Sequence, residues 1–313
     1  MRRAVARCFV TRDLPGPALD RLRERHDVDV WPERLPPPYE ELRAGITEAE
    51  GLLSLLTDRV DAALINGSPR LRAIANYAVG YDNIDLDAAR ARDIAVGNTP
   101  DVLTDATADL TFTLLLAAAR RLPDALLSVQ ANDWVTWEPK GFLGHDVHGA
   151  TLGIIGMGRI GRGVARRAEG FDMTVLHTGP DGGVPLLRLL KRSDFVSLHC
   201  PLTPATHHLI NAAAFEAMQP SAILINTARG PIVDQAALIE ALRRGEIAGA
   251  ALDVTDPEPP PADDPVLSAP NLIVAPHIGS ATHTAREAMA TLAVDNLLAA
   301  LDGRPMPHPV HPG

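Results

Sequence analysis

The sequence is short of cysteine, short of positive charge, and without a long apolar run. Its 313 residues hold only Cys8 and Cys200, with no CxxC pair and no Cys/His cluster at ligand spacing. That excludes a disulfide framework, suits thiols in a reducing compartment, and gives no metal site to expect. The most apolar stretch, Leu114–Ala119, falls far below the roughly 20 residues that span a bilayer. The opening MRRAVARCFVTRD has no sustained apolar segment, so no secretory leader is expected. Together these predict a soluble, cytoplasmic protein that does not meet a membrane. With 39 acidic and 29 basic residues the net charge is −10, which argues against a general nucleic-acid binder. Any anion must therefore be held by local positive groups against an unfavourable overall field.

What is present is an alternation of short apolar runs and helical stretches. In the first hundred residues strands are expected at Ala4–Val10, Gly51–Leu55, Arg72–Tyr77 and Ile94–Gly97. Helices are expected at Gly16–Arg25 and Arg59–Ile65, with Pro36–Pro38 as a loop. A long helix follows over Leu103–Arg121, which Pro123 ends or succeeds with another. A second series has strands at Thr151–Ile155, Thr174–His177, Asp194–His199, Ala222–Ile225, Gly249–Val254 and Leu272–Ala275. Between them lie helices at Arg159–Gly170, Leu186–Arg192, Ala212–Met218 and Gln235–Arg244. The alternation predicts α/β architecture with two doubly wound parallel sheets. A last helix, capped by Ser280 or Thr282, carries Met289, Leu292, Ala293, Leu297, Ala300 and Leu301 on one face and ends at Gly303.

Thr151-Leu-Gly-Ile-Ile-Gly156-Met-Gly158-Arg-Ile-Gly161 runs from a strand through GxGxxG into a helix. That context is what makes the pattern a dinucleotide turn and not merely a glycine-rich one. Gly156 permits the tight turn, Gly158 lets backbone approach a pyrophosphate, and Gly161 lets helix pack on strand. Arg159 and Ile160 offer their N–H groups to the phosphates at the helix N-terminus. At the end of the next strand, where an acidic residue normally takes the ribose 2′-hydroxyl, stands Gly179. Without that carboxylate a 2′-phosphate is not repelled, which favours NADP over NAD, although Asp181 could turn back to the ribose.

Three later strands each run into a reactive group: Arg229, then Asp253 and Glu258, then His277. In open parallel sheets ligands bind beyond these carboxyl ends. An arginine fork suits a substrate carboxylate and a polarised carbonyl. A histidine suits proton transfer to the oxygen, and a neighbouring carboxylate fixes its ring. The set fits hydride transfer between a nicotinamide and a carbonyl carbon.

Seven stretches resemble, in order, the D-isomer-specific 2-hydroxyacid dehydrogenase family, and most of all its glyoxylate/hydroxypyruvate reductase (D-glycerate dehydrogenase) branch. They are NYAVGYDNIDLDAA (76–89), NTPDVLTDATADL (98–110), GIIGMGRIGRGVARRA (153–168), LHCPLTPATHHLI (198–210), INTARGPIVDQAAL (225–238), ALDVTDPEPPP (251–261) and APHIGSATHTAR (275–286). The resemblance implies a Rossmann cofactor domain, 99–283, inserted into a flavodoxin-like substrate domain made of 1–98 and 284–313. It implies Arg229, Glu258 and His277 as catalytic residues. The Val79–Gly80 backbone would clasp the substrate carboxylate, and Ser280 and Arg286 would line the pocket. Trp137 would reach a partner subunit's site in a homodimer or simply anchor that interface. Thr104, Pro201, Thr227 and Asp253 would join the glycine turn around the cofactor. The implied reaction is NAD(P)H-dependent reduction of small 2-keto acids such as glyoxylate and hydroxypyruvate. A D-lactate or phosphoglycerate type, or a dinucleotide-sensing corepressor on the same fold, stays open at this stage. One departure from the family is the short stretch 178–193, which predicts a trimmed sheet edge at the adenosine end.

Overall fold

The computed structural model describes residues 5–310. The chain forms two compact units, Met1–Leu103 with Ala281–Gly313, and Thr104–Ser280. The breaks expected near 99 and 283 compare with these limits. The strand start expected at Ala4 lies outside the described residues, as do tail residues 311–313.

The first unit alternates β1 (Arg7–Val10), α1 (Ala18–Arg23), β2 (Asp27–Val30), α2 (Tyr39–Ile46), β3 (Gly51–Ser54), α3 (Ala62–Asn66), β4 (Ala73–Asn76), α4 (Leu86–Ala91) and β5 (Ala95–Gly97). All its strand pairs are parallel, in the order β2-β1-β3-β4-β5. That is the flavodoxin-like 2-1-3-4-5 order. The central strands β3 and β4 are buried along their whole length, as strands covered on both faces must be. Sequence patterning missed β2, because DVDV at a sheet edge keeps polar residues at alternate positions. It also missed α2 and α4. Asp85 caps α4 by accepting from the Ala88 N–H at 2.9 Å, and Asp61 caps α3 in the same way.

The second unit opens with α5 (Thr104–Ala119) and α6 (Leu122–Gln130), and Pro123 begins the second helix. Then come β6 (Thr151–Ile155), α7 (Arg159–Glu169), β7 (Thr174–Gly179), β8 (Gly182–Gly183), α8 (Leu186–Arg192), β9 (Phe195–Leu198), α9 (Ala212–Ala217), β10 (Ile223–Asn226), α10 (Gln235–Arg244), β11 (Gly249–Leu252) and β12 (Leu272–Val274). The sheet order is β12-β11-β10-β9-β6-β7-β8. Read from the far edge this is the Rossmann 3-2-1-4-5-6 succession, extended by one strand. The third Rossmann strand has shrunk to two glycines running antiparallel to β7. Both have positive φ, and a Cβ on Gly183 would overlap the His177 carbonyl. Helices α5 and α7 cover one face with Phe112, Leu115 and Val164. Helices α8, α9 and α10 cover the other with Leu189, Phe215 and Leu238.

The final helix, α11 (His283–Leu301), packs within the first unit against α1, β3, β4 and β5. Thr282, not Ser280, is its cap, accepting from the Ala285 N–H at 3.1 Å. The single apolar face expected for it is corrected. Ala285, Ala290, Val294, Leu298 and Ala299 are buried as well, while Leu292 and Ala300 are only half-buried. A helix with apolar residues nearly all round is a buried helix. It stops at Gly303, whose left-handed conformation lets the Arg304 N–H reach the Ala299 carbonyl and its own N–H the Ala300 carbonyl. The tail then pairs with β5, the Val310 N–H donating to Val96 O at 2.8 Å.

Candidate active site

The glycine turn joins β6 to α7 at the point where the strand order reverses between β6 and β9. Gly156 has φ +96°, and a Cβ there would come within 2.6 Å of the Cys200 backbone nitrogen. A Cβ on Gly161 would overlap the Gly156 carbonyl oxygen and press on Ile154, so this glycine packs the helix against both turn and strand. Gly158 differs: nothing lies within 4 Å of the space its Cβ would fill. It forms the N-cap of α7, and no side chain caps that helix. The first-turn N–H groups of a helix carry partial positive charge and need an outside acceptor. An open space above glycine backbone at such an end fits a pyrophosphate. Gly179 ends β7 with its Cβ position 4.0 Å from Gly156 Cα, so the residue at the expected ribose position does border the turn. Thr104 also faces this region, its Cγ2 3.7 Å from the Cβ position of Gly163 in α7. Pro201 is exposed just after β9, its carbonyl accepting from Thr206 Oγ1 at 2.6 Å.

The catalytic candidates leave the carboxyl ends of neighbouring parallel strands. After β10, Asn226 holds the loop by accepting from the Ala228 N–H at 3.0 Å and donating to Arg229 O at 2.8 Å. Thr227 is buried with its hydroxyl 3.0 Å from that of Thr111 on α5. Gly230 follows Arg229 because a Cβ would overlap the Thr255 carbonyl. Past β11 and β12, His277 Nδ1 lies 2.5 Å from Glu258 Oε1, with both side chains partly exposed.

His277 stands at φ +53°, a left-handed conformation rare for a residue with a side chain. Asp253 holds it there. Its carbonyl accepts from the His277 N–H at 2.9 Å. Its carboxylate accepts from the Ile278 and Gly279 N–H groups, both at 2.7 Å. Asp253 is 1% exposed, and burial pushes its carboxyl up from the usual range. The residue assigned to the cofactor thus also sets the turn that presents the histidine.

His199, at the end of β9, could compete for the acid role. Burial pushes it down to about 3, and its Nε2 lies 2.8 Å from Ser197 Oγ. A histidine kept neutral has no proton of this kind to give. Sequence reading missed Asn226, the turn-holding role of Asp253, and this discrimination between two histidines.

Val79 and Gly80 lie half-buried in the loop after β4. Arg286 sits half-buried in the first turn of α11, its carbonyl accepting from Tyr77 Oη at 2.8 Å. Ser280 is half-buried just before that helix. Trp137 is 79% exposed on the irregular segment 131–146.

Residues 112–279 match the family model of the D-isomer specific 2-hydroxyacid dehydrogenase, NAD binding domain. A glyoxylate reductase of Korarchaeum cryptofilum is 47% identical, over 97% of this chain and 96% of its own. A solved structure of a Thermus thermophilus protein, TT0316, is 51% identical with TM-score 0.92, covering 97% and 100% of the two chains. The NADPH-dependent glyoxylate/hydroxypyruvate reductase of Sinorhizobium meliloti, solved with NADP and malonate, is 33% identical with TM-score 0.86 over 98% and 97%. The likeness to these relatives runs along nearly the whole chain. This protein belongs to the D-isomer-specific 2-hydroxyacid dehydrogenase family and is an NAD(P)-dependent oxidoreductase.

Proposed function

We propose that the protein reduces small 2-keto acids, glyoxylate and hydroxypyruvate foremost, to 2-hydroxy acids. The observation that carries this is the His277–Glu258 pair at 2.5 Å, which, like Arg229, follows the carboxyl ends of neighbouring strands of the second sheet. A nicotinamide, when bound, supplies the hydride that ends on the carbonyl carbon. Gly156, Gly158, Ile160 and Gly161 would hold its pyrophosphate. Glu258 takes Nδ1 of His277, which leaves Nε2 as the ring nitrogen that carries the transferable proton. His277 gives that proton to the carbonyl oxygen as the carbon is reduced, and the carbon–oxygen double bond becomes C–OH. Arg229 offers a planar cation to the carbonyl oxygen and carboxylate. Val79–Gly80 would take the carboxylate by its backbone, with Ser280 and Arg286 beside the substrate. Following absorbance at 340 nm with glyoxylate, hydroxypyruvate, pyruvate and both reduced cofactors tests the reading. Oxidation of neither cofactor by any keto acid would overturn it and favour a sensor.

The same reading extends to cofactor choice. Gly179 carries no carboxylate against a 2′-phosphate, and β8 leaves only glycine backbone at that edge. We therefore expect NADPH to be accepted at least as well as NADH. A kcat/KM for NADH more than about tenfold above that for NADPH, some 1.4 kcal/mol, would reject the argument.

Homodimer formation belongs to this proposal as well. Helix α6 has no buried residue, and Leu122, Leu126, Leu127 and Val129 are exposed on it. Trp134, Val135, Trp137 and Leu143 are exposed on the segment that follows. Large exposed apolar side chains gathered on one stretch of chain point to an association site, and Trp137 within it would meet a second copy. Sedimentation equilibrium should give a dimer for the parent and a monomer for a Leu126→Asp, Leu127→Asp double variant. A monomeric parent would refute this. No helix among the described residues is long and apolar enough to cross a membrane, and both cysteines are free, which supports a cytoplasmic setting.

A further inference from the structure

The loop after β4 has an ordered asymmetry in its backbone. Four successive carbonyls are engaged from within the first unit. Ala78 O accepts from the Thr99 N–H at 2.9 Å, and Tyr81 O from the Ile84 N–H at 3.0 Å. Between them, Val79 O accepts from Asn98 Nδ2 at 2.7 Å and Gly80 O from Asn76 Nδ2 at 2.9 Å. Among the described residues, the Val79 and Gly80 N–H groups donate to no protein acceptor. In a trans peptide the C=O of one residue and the N–H of the next point in opposite directions. Holding Ala78 O therefore points the Val79 N–H away from Thr99, and holding Val79 O points the Gly80 N–H away from the Asn98 side chain.

Asn98 is anchored through its backbone and Asn76 through its side chain. Asn98 O accepts from Nδ2 of Asn296 at 2.8 Å. Asn296 is fully buried on α11, and its Oδ1 accepts from the His308 N–H at 2.9 Å. Asn76 is fully buried. Its Oδ1 accepts from Ser54 Oγ at 3.0 Å, and its Nδ2 also donates to Asn83 Oδ1 at 3.1 Å. Asn83 closes the network by donating to the Leu55 and Asp58 carbonyls. Asn76, Ser54 and Asn296 are buried members of this network, and buried hydrogen-bonded groups of this kind favour one geometry.

We propose that Asn98 and Asn76 are positioning residues for substrate binding, holding the Val79–Gly80 backbone with its N–H groups outward to receive the keto-acid carboxylate. The inference rests on the functional reading above and deepens it. Asn98 acts on the Gly80 N–H directly through Val79 O. Asn76 acts through Gly80 O on the peptide that follows.

The test compares Asn98→Asp, Asn98→Ala and Asn76→Ala with the parent enzyme. The Asn98→Asp side chain keeps its size but faces the Val79 carbonyl with an oxygen. The expected result is a KM for glyoxylate raised about tenfold or more, the scale of one hydrogen bond lost at a charged ligand. KM for NADH and for glyoxylamide, which lacks the carboxylate charge, should stay near the parent values. A merely structural role would lower Tm and weaken both carbonyl substrates alike, and that outcome overturns the proposal. So does a parental KM for glyoxylate in folded Asn98→Ala. Should Asn98→Asp fail to fold, Asn98→Ala and Asn76→Ala decide the matter. Turnover of glyoxylate by the parent, and its loss in His277→Ala, test the functional reading separately.

Discussion

Replacing His277 by alanine is expected to lower kcat for keto-acid reduction by about 10²–10⁴-fold, the usual weight of a positioned acid–base group. Binding of NADH, followed by quenching of protein fluorescence, should change little, because the glycine turn lies on a different strand end. The fold should tolerate the change. The side chain is only partly buried, and the turn is held by backbone bonds to Asp253 that alanine retains. Glu258→Gln gives the graded companion. It keeps a hydrogen-bond partner for Nδ1 and with it the orientation of the ring, so kcat should fall less than in His277→Ala. Asp253→Asn should fall between them by a separate route. An amide cannot accept from two N–H groups with both of its ends, so the His277–Gly279 turn would lose one of its two anchors. Near-parental kcat in His277→Ala would remove this histidine from the chemistry.

These residues differ in how visible they are along the chain. His277, Glu258 and Arg229 stand out as candidates because each follows an apolar strand whose carboxyl end is where open sheets bind ligands. Asp85 and Asp61 cap their helices from only three residues before the N–H they accept, yet a single short cap did not suffice to reveal α4. Asp253 carries no such mark for its structural work, since the amides it holds are on another loop and meet it only after β11 and β12 pair. Asn98 and Asn296 are far apart in sequence for the same reason. The edge strand β2 escaped because exposed alternate positions take Asp27 and Asp29 without penalty. The pair of glycines in β8 has no side chains from which to form a pattern at all. The apolar spacing along α11 was readable, but its burial nearly all round depends on where β3, β4 and β5 place their faces. Periodicity thus reaches what is local or repeated, whereas long-range polar bonds appear only with the topology.

The three glycines of the turn are expected to separate under substitution by alanine, and the separation bears directly on cofactor binding. In Gly156→Ala a side chain is forced into φ +96° and within 2.7 Å of the His199 backbone carbon, so stability and NADH affinity should fall together. Gly161→Ala drives a methyl into the Gly156 carbonyl, again disturbing fold and turn at once. Gly158→Ala meets no atom of the protein within 4 Å. Its φ of −73° is one that any residue adopts. Its Tm without cofactor should therefore match the parent within a degree or two, roughly the effect of a neutral surface change. The added methyl instead occupies the open space over the N-terminus of α7, where a pyrophosphate would lie closest to backbone. Affinity for both NADH and NADPH should drop about 100-fold, equivalent to roughly 2.7 kcal/mol. A turn that merely connects strand to helix predicts the same unchanged stability for Gly158→Ala but unchanged dinucleotide binding as well. Isothermal titration of the cofactors against Gly158→Ala, beside its thermal melt, decides between them.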